Sequence, residues 1–153
     1  MEKSKAEVEQ LILDFLAEHG EDYFTCAIAT CADNQVRNTP VDARNDGLNL
    51  YFSADPGGKL ANIRKNPKVC LAVFIPVGKL YMKNARGLQM WGTAHIIDRD
   101  KEPEEFQKAF EIIRLEEIAQ VSTGHPFPEA FLPKLNLVKI VPDKISYFVA
   151  MGE

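Results

Sequence analysis

The feature that most restricts this chain is a succession of short apolar or alternating runs, each ended by turn chemistry, with few helical stretches between them. Tyr23 to Cys31 is apolar, aromatic and rich in Thr, which suits a strand. Ala32-Asp33-Asn34-Gln35 supplies turn residues and Val36 to Ala43 continues as a second strand, so the two should form a hairpin. Asn45-Asp46-Gly47 is a second turn signal, because Asp-Gly supports positive φ. Leu48 to Ser53 reads as a third strand, with Leu48, Leu50 and Phe52 alternating against Asn49, Tyr51 and Ser53. Val69 to Ile75 and Leu88 to Ile97 are nearly continuous apolar runs, and Gly92 within the second suggests a bulge or a close backbone approach. Leu137 to Pro142 and Lys144 to Val149 flank Pro142-Asp143 and make a terminal strand or a hairpin.

Helical signals occur at three places. In Ala6 to Glu18, Val8, Leu11, Ile12, Phe15 and Leu16 form one apolar face, and His19-Gly20 is a stop. Lys59 to Lys65 suits a short helix between Asp55-Pro56-Gly57-Gly58 and Asn66-Pro67. Glu102 to Gln120 carries Phe106, Phe110 and Ile113 on one stripe and reads as a single amphipathic helix, followed by an ordered irregular loop from Val121 to Pro133. The strands outnumber the crossover helices, which argues against a doubly wound parallel sheet. The count is about six or seven strands, and the expected fold class is mainly β (α+β), a small antiparallel barrel with peripheral helices, since closing a small sheet removes its exposed edges.

Composition narrows the function classes. A length of 153 residues matches one domain at roughly 150 residues each, so 1–153 is read as a single domain. No window approaches the roughly 18 apolar residues of a membrane span. The net charge of −4 and pI near 5.4 argue against a nucleic-acid partner. The opening MEKSKAEVEQ has charges but no apolar core or cleavage site after them, so it does not read as a secretory signal and the expected location is the cytoplasm. Cys26, Cys31 and Cys70 form an odd set without a close CxxC pair. Cys26 and Cys31 would face opposite sides of one strand, and all three read as buried free thiols. His19, His95 and His125 are scattered, and no metal site is expected.

The chain has no GxSxG, no paired Cys and His, no GxGxxG and no Walker loop. One constellation remains. From Tyr51 to Arg64 the chain runs strand, glycine loop, short helix. A helix start exposes unpaired N–H groups and partial positive charge. Gly57 and Gly58 leave room there, Lys59 adds a full cation, and Ser53 can add a hydroxyl, which together suit a phosphomonoester. In Val36-Arg37-Asn38-Thr39-Pro40-Val41, Arg37 is a permanent cation with a rigid donor fork. Pro40 lacks an N–H, so this strand must be an edge or carry a bulge. Gln89 and the single Trp, Trp91, share one strand face, where an aromatic ring beside an amide could border a flat heteroaromatic ligand.

The run VRNTPVDARNDGLNLYFSADPGGKLANIRKNPKVCLAVF, followed by LQMWGTAHIID and LVKIVPDKISYF, resembles the pyridoxamine 5'-phosphate oxidase-like FMN-binding split-barrel proteins from about Tyr23 to Val149. The resemblance implies a six-stranded Greek-key split barrel and a homodimer with FMN at the subunit interface. It matches Arg37, Asn38, Thr39, Pro40 and Val41 to the flavin-contacting strand, and Tyr51, Phe52 and Ser53 to the next strand end. Lys59 matches the phosphate lysine and Asn62 the asparagine after it, while Gln89 and Trp91 fall on the strand that reaches the flavin, from the partner subunit. Tyr147-Phe148 would pack near the same interface. Many members carry a Ser or Thr and a second basic residue beside the phosphate lysine. Here the loop is Gly-Gly-Lys, so phosphate binding would lean on backbone donors and Arg37. The basic substrate-phosphate pocket of a true pyridoxamine phosphate oxidase is missing and the chain is shorter, so pyridoxal phosphate synthesis is not expected. What the resemblance implies is an FMN-binding oxidoreductase, flavin reductase-like or pyridoxamine phosphate oxidase-related, with a nicotinamide nucleotide as candidate donor. No residue reads as a general acid or base, and catalytic residues are unassigned. The alternative is a protein that holds FMN, a deazaflavin or haem without turnover.

Overall fold

The computed structural model describes residues 2–20, 22–75 and 85–149. Its elements are α1 (Lys5–Ala17), β1 (Phe24–Ala32), β2 (Gln35–Asp46), β3 (Asn49–Ala54), α2 (Gly58–Lys65), β4 (Lys68–Phe74), β5 (Arg86–Ile96), α3 (Pro103–Ile113), α4 (Leu115–Thr123), a 3-10 turn (Glu129–Lys134) and β6 (Asn136–Val149). The strands close into an antiparallel barrel in the order β1-β2-β3-β6-β5-β4, with β4 returning to β1.

Local chemistry explains most of the boundaries. Ser4 and Glu7 form a reciprocal capping box at the start of α1, the Ser4 hydroxyl accepting the Glu7 N–H at 3.2 Å and the Glu7 carboxylate accepting the Ser4 N–H at 2.6 Å. The turn between β1 and β2 has φ of 51° at Asp33 and 58° at Asn34, the paired left-handed conformation that Asp and Asn tolerate best after Gly. Gly47 supplies φ of 57° between β2 and β3. Inward-facing residues of all six strands, among them Ile28, Val41, Leu50, Phe52, Leu71, Met90 and Ile140, form one core with Ile12, Phe15 and Leu16 of α1. A second core lies outside the barrel wall, where Phe106, Ala109 and Ile113 of α3 cover Tyr51, Ile97 and Leu137.

Two expectations are corrected. The stretch 102–120 is two helices, broken at Arg114 with φ of 61° and ψ of 38°. A left-handed residue costs about 1–2 kcal/mol. The break turns Leu115 and Ala119 inward and pairs Arg114 with Glu117, neither of which the apolar stripe alone reveals. The segment 121–133 is accordingly less irregular than expected, because α4 runs to Thr123 and a 3-10 turn spans Glu129–Lys134. Of the two forms left open for the C-terminal segments, the structure has the terminal strand, 14 residues long. Lys144 lies opposite Trp91 and Pro142 opposite Gly92, so Asp143 is the extra residue of a bulge. A Cβ on Gly92 would come within 2.8 Å of Ile140 Cγ2 and 2.9 Å of the Val141 carbonyl oxygen, the close approach that a strand glycine signals.

Cys26 is buried, Cys31 and Cys70 are partly buried, and all three are free. Burial pushes the Cys26 thiol up to about 12. Among the described residues, no helix is long and apolar enough to cross a membrane, and no cluster of His, Cys, Asp and Glu is disposed to hold a metal ion.

Candidate functional site

Among the described residues, strand β2 is paired on only one side over most of its length. It follows β1 from Gln35 to Ala43, whereas β3 meets it only from Arg44 to Asp46. The half that contains Pro40 therefore has an open edge, as a mid-strand proline requires. Gln35, Val36, Arg37, Asn38 and Pro40 are exposed, so this half also stands clear of the neighbouring layers.

Register assigns its faces. Arg37, Thr39 and Val41 lie opposite Thr30, Ile28 and Cys26, which are buried on the inner side of β1. Asn38 and Pro40 lie opposite Ala29 and Ala27 on the outer side. The inner-side residues meet α2, which packs on β1, β2 and β5 and sinks Leu60 and Ile63 into the core. Asn62 holds that helix down. Its side-chain amide donates to Thr30 Oγ1 at 3.1 Å, with a longer approach of 3.5 Å to the Gln35 carbonyl. Asn66 does the same at the other end, donating to the Cys31 carbonyl at 2.9 Å.

The start of α2 is left uncapped by any side chain. Its first intrahelical bond runs from the Ala61 N–H to the Gly57 carbonyl at 3.0 Å, so the N–H groups of Gly58, Lys59 and Leu60 have no partner within the helix. The Arg37 guanidinium lies against this first turn, and a Cβ built on Gly58 would be 2.6 Å from its Cζ and Nε. Lys59 is half-buried with Nζ 5.5 Å from the centre of the Phe52 ring. Burial lowers the Lys59 pKa from its ordinary value, a shift that the Cys26 thiol and Asp55 carboxylate partly oppose. Among the described residues, neither Arg37 nor Lys59 forms an ion pair. Thr39 Oγ1, on the same inner side, is buried without a hydrogen-bond partner among the described residues. Two cations, free helix N–H groups and an orphaned hydroxyl at one barrel end make a cradle that fits a dianionic phosphate, the group that the resemblance would place there.

Gln89 and Trp91 belong to a different surface. Neighbouring registers set Pro40, Ala27, Ala72, Gln89 and Ser146 in one row across the outer sheet, with Asn38, Ala29, Cys70, Trp91 and Lys144 in the next. Three strand spacings, about 14 Å at roughly 4.8 Å each, separate Gln89 and Trp91 from Pro40 and Asn38. Between them lies a plain of small side chains. The Gln89 amide donates to Cys70 Sγ at 3.3 Å, and the Lys144 ammonium sits 5.0 Å from the centre of the Trp91 ring. Phe74, Phe148 and Val36 are 55%, 52% and 72% exposed. Phe74 and Phe148 are outward residues of β4 and β6, beside Gly87 of β5.

The remaining site expectations separate by burial. Val41 and Phe52 point into the core, so any contact they make with a ligand is through the backbone. Tyr51 is buried on the opposite side of its strand beneath α3, with its hydroxyl unpartnered. Ser53 is exposed on the same outer side as Tyr51. Sequence reasoning did not single out Thr30 or the crowding at Gly58. Thr30 carried one legible signal, a polar residue at an inward position of an apolar strand.

The sequence pattern of the pyridoxamine 5'-phosphate oxidase family matches residues 10–147. No curated protein matches the chain. Among solved structures, a provisionally assigned pyridoxamine 5'-phosphate oxidase from Listeria innocua superposes with a TM-score of 0.67 at 21% identity, covering 92% of this chain and 98% of its own. An FAD-binding protein from Mesorhizobium loti gives 0.66 at 17% identity over 95% and 94%. The haem storage protein HutZ of Vibrio cholerae gives 0.67 at 17% identity over 92% and 93%. At these identities the likeness carries the fold alone.

Proposed function

The chain belongs to the pyridoxamine 5'-phosphate oxidase family, and from that premise we propose that it is a cytoplasmic, homodimeric FMN-binding oxidoreductase, flavin reductase-like or pyridoxamine phosphate oxidase-related, whose residues 1–153 form one flavin-binding split-barrel domain. The observation that carries the reading is the pair of cations at the mouth of α2, Arg37 and Lys59, unpaired among the described residues and backed by free helix N–H groups and the orphaned Thr39 hydroxyl. Like charges gathered at the positive end of a helix repel one another, and an anion relieves that repulsion.

Bound there, the flavin would supply two-electron redox chemistry, with a nicotinamide nucleotide as the candidate donor. The residues of this chain would hold and orient it. Lys59 and the first turn of α2 would take the phosphate, with Arg37 closing over it. Asn62 would keep that turn against β1 through Thr30. Along Asn38, Thr39 and Pro40, the backbone groups that alternate residues turn away from β1 would meet the polar rim of the ring, and N–H hydrogen bonds there raise the potential by stabilising negative charge on reduction. Arg37, Lys59 and Thr39 include no carboxylate or imidazole to move a proton, and burial holds the nearby Cys26 thiol neutral.

Support for the dimer comes from the outer sheet. Gln89 and Trp91 lie too far along that face to reach a flavin held on the β2 edge of their own barrel, and face-to-face association would carry them to the partner's site. The same association would cover Phe74 and Phe148, large apolar side chains otherwise left in water. A second reading, a protein that holds flavin, deazaflavin or haem without turnover, draws on the lack of an acid or base in the cluster. Against its haem branch, His19 packs edge-on to Phe15 and tilted on Phe24, and His95 pairs with Glu102, so neither ring is free as an iron ligand.

The test is the visible spectrum of the purified protein, followed by reconstitution with FMN. Flavin absorption or stoichiometric uptake is expected, and a colourless protein that takes up none ends the proposal. Rapid bleaching by NADH or NADPH in a stopped-flow mixer selects the enzyme over the carrier.

A further inference from the structure

We infer that Gly58 is a specificity-determining residue, whose missing side chain admits the Arg37 guanidinium to the first turn of α2 and so makes a one-lysine helix mouth into a two-cation clamp for a phosphomonoester. The inference rests on the flavin reading above and adds to it the group that sets the phosphate preference. Glycine is not required here by the backbone. Gly58 is the first residue of the helix and its φ lies outside the left-handed region, so other residues could adopt its conformation, and glycine is among the poorest helix formers. Space is the reason that remains. A Cβ at Gly58 would lie 2.6 Å from Arg37 Cζ, 2.6 Å from Nε and 2.7 Å from Nη1. At Gly57, one residue earlier, a Cβ would meet nothing within 4 Å.

The identity of the crowded neighbour decides what a substitution does. The atoms in the way are the tip of a long flexible side chain, not backbone, so a methyl group at position 58 would push Arg37 aside and leave the fold standing. Nothing else among the described residues anchors the guanidinium in an ion pair. Its position against the positive end of α2 is electrostatically unfavourable until a negative charge arrives. Gly58 therefore acts through Arg37, as a positioning residue that touches the ligand through its backbone N–H alone.

The experiment compares FMN with riboflavin, which differ by the phosphate alone. Dissociation constants are measured by quenching of flavin fluorescence for the wild-type protein, Gly58→Ala, Arg37→Ala and the double variant, with thermal melts of each. Gly58→Ala should weaken FMN about tenfold, the scale of one charge-assisted hydrogen bond, while leaving riboflavin within about twofold and the melting temperature unchanged or raised. In the Arg37→Ala background the same substitution should cost FMN nothing further. Wild-type FMN affinity in Gly58→Ala overturns the inference, as does an equal loss for riboflavin or an undiminished loss when Arg37 is already gone. A wild-type protein that binds neither flavin overturns the functional reading, and the inference with it. FMN binding that is indifferent to Gly58 removes the inference alone.

Discussion

Replacing Lys59 tests the phosphate site directly. The ammonium is half-buried at the helix mouth, free of carboxylate partners among the described residues, and next to a turn whose N–H groups point the same way. A hydrogen bond from a charged group contributes about 1.5–3 kcal/mol, and about 1.4 kcal/mol is a factor of ten. Lys59→Ala should therefore weaken FMN roughly 10- to 150-fold and change riboflavin little. The pH dependence carries a second signature. Burial lowers the Lys59 pKa below its usual 10.5, and only the protonated amine attracts the phosphate. FMN affinity should thus fall as pH rises through a value under 10.5. Lys59→Arg, charged beyond pH 12, should lose that alkaline limb. Below about pH 6 the phosphate itself gains a proton, so both proteins should weaken there. In the ligand-free protein the sign reverses. A lowered lysine pKa means that the unfolded chain binds more protons, so this residue's penalty on folding fades as pH rises through the folded pKa towards 10.5. The assay is flavin fluorescence titration from pH 5 to 10.5, at constant ionic strength because the attraction is screened by salt. Equal losses of FMN and riboflavin in Lys59→Ala, or an alkaline limb that persists in Lys59→Arg, would refute the reasoning.

Other consequences are open to measurement. Gly92→Ala should destabilise the barrel by about 1–3 kcal/mol, the usual cost of overpacking, because its methyl group would meet the Val141 carbonyl oxygen at 2.9 Å and backbone cannot swing away; an unchanged denaturation midpoint would contradict this. Phe74→Glu places a charge on the apolar outer sheet and should shift the protein from dimer to monomer in sedimentation, and a wild-type sedimentation coefficient would move the interface elsewhere. Thr30→Val removes the acceptor of the Asn62 amide inside a buried site. It should cost about 1–2 kcal/mol in urea unfolding and weaken FMN with it, so a variant as stable as the wild type would show that Asn62 does not anchor α2.

The strand order along the chain was legible because its signals are local. Asp33, Asn34 and Gly47 carry the left-handed conformations that hairpins need, and the alternation in Leu50, Phe52 and their neighbours marked one core face. Pro40 was legible in the same way, since a missing N–H forbids pairing on both sides, and β2 is indeed unpaired on one. Arg37 and Lys59 were singled out from residue chemistry alone, and the fold brings both to the mouth of α2. The break at Arg114 and the bulge at Asp143 were not legible. Each is a local irregularity maintained by distant partners, the buried faces of Leu115 and Ala119 in one case and the β5 ladder in the other.

Tyr51 and Gln89 show where the boundary falls. Period two sends both side chains out of the barrel wall, and the sequence determines that much, because alternation along a strand follows from backbone geometry. Whether an outward residue is sealed beneath α3, as Tyr51 is, or left on an open sheet, as Gln89 is, depends on which layers the chain later lays over the wall. The sequence likewise determined that a cation, two glycines and a helix start adjoin one another. Only the closure of β1, β2 and α2 at one barrel end decided that Arg37, 21 positions before Gly58 in the numbering, should lie against it, because contact between distant segments is set by register and packing and leaves no mark on either segment alone.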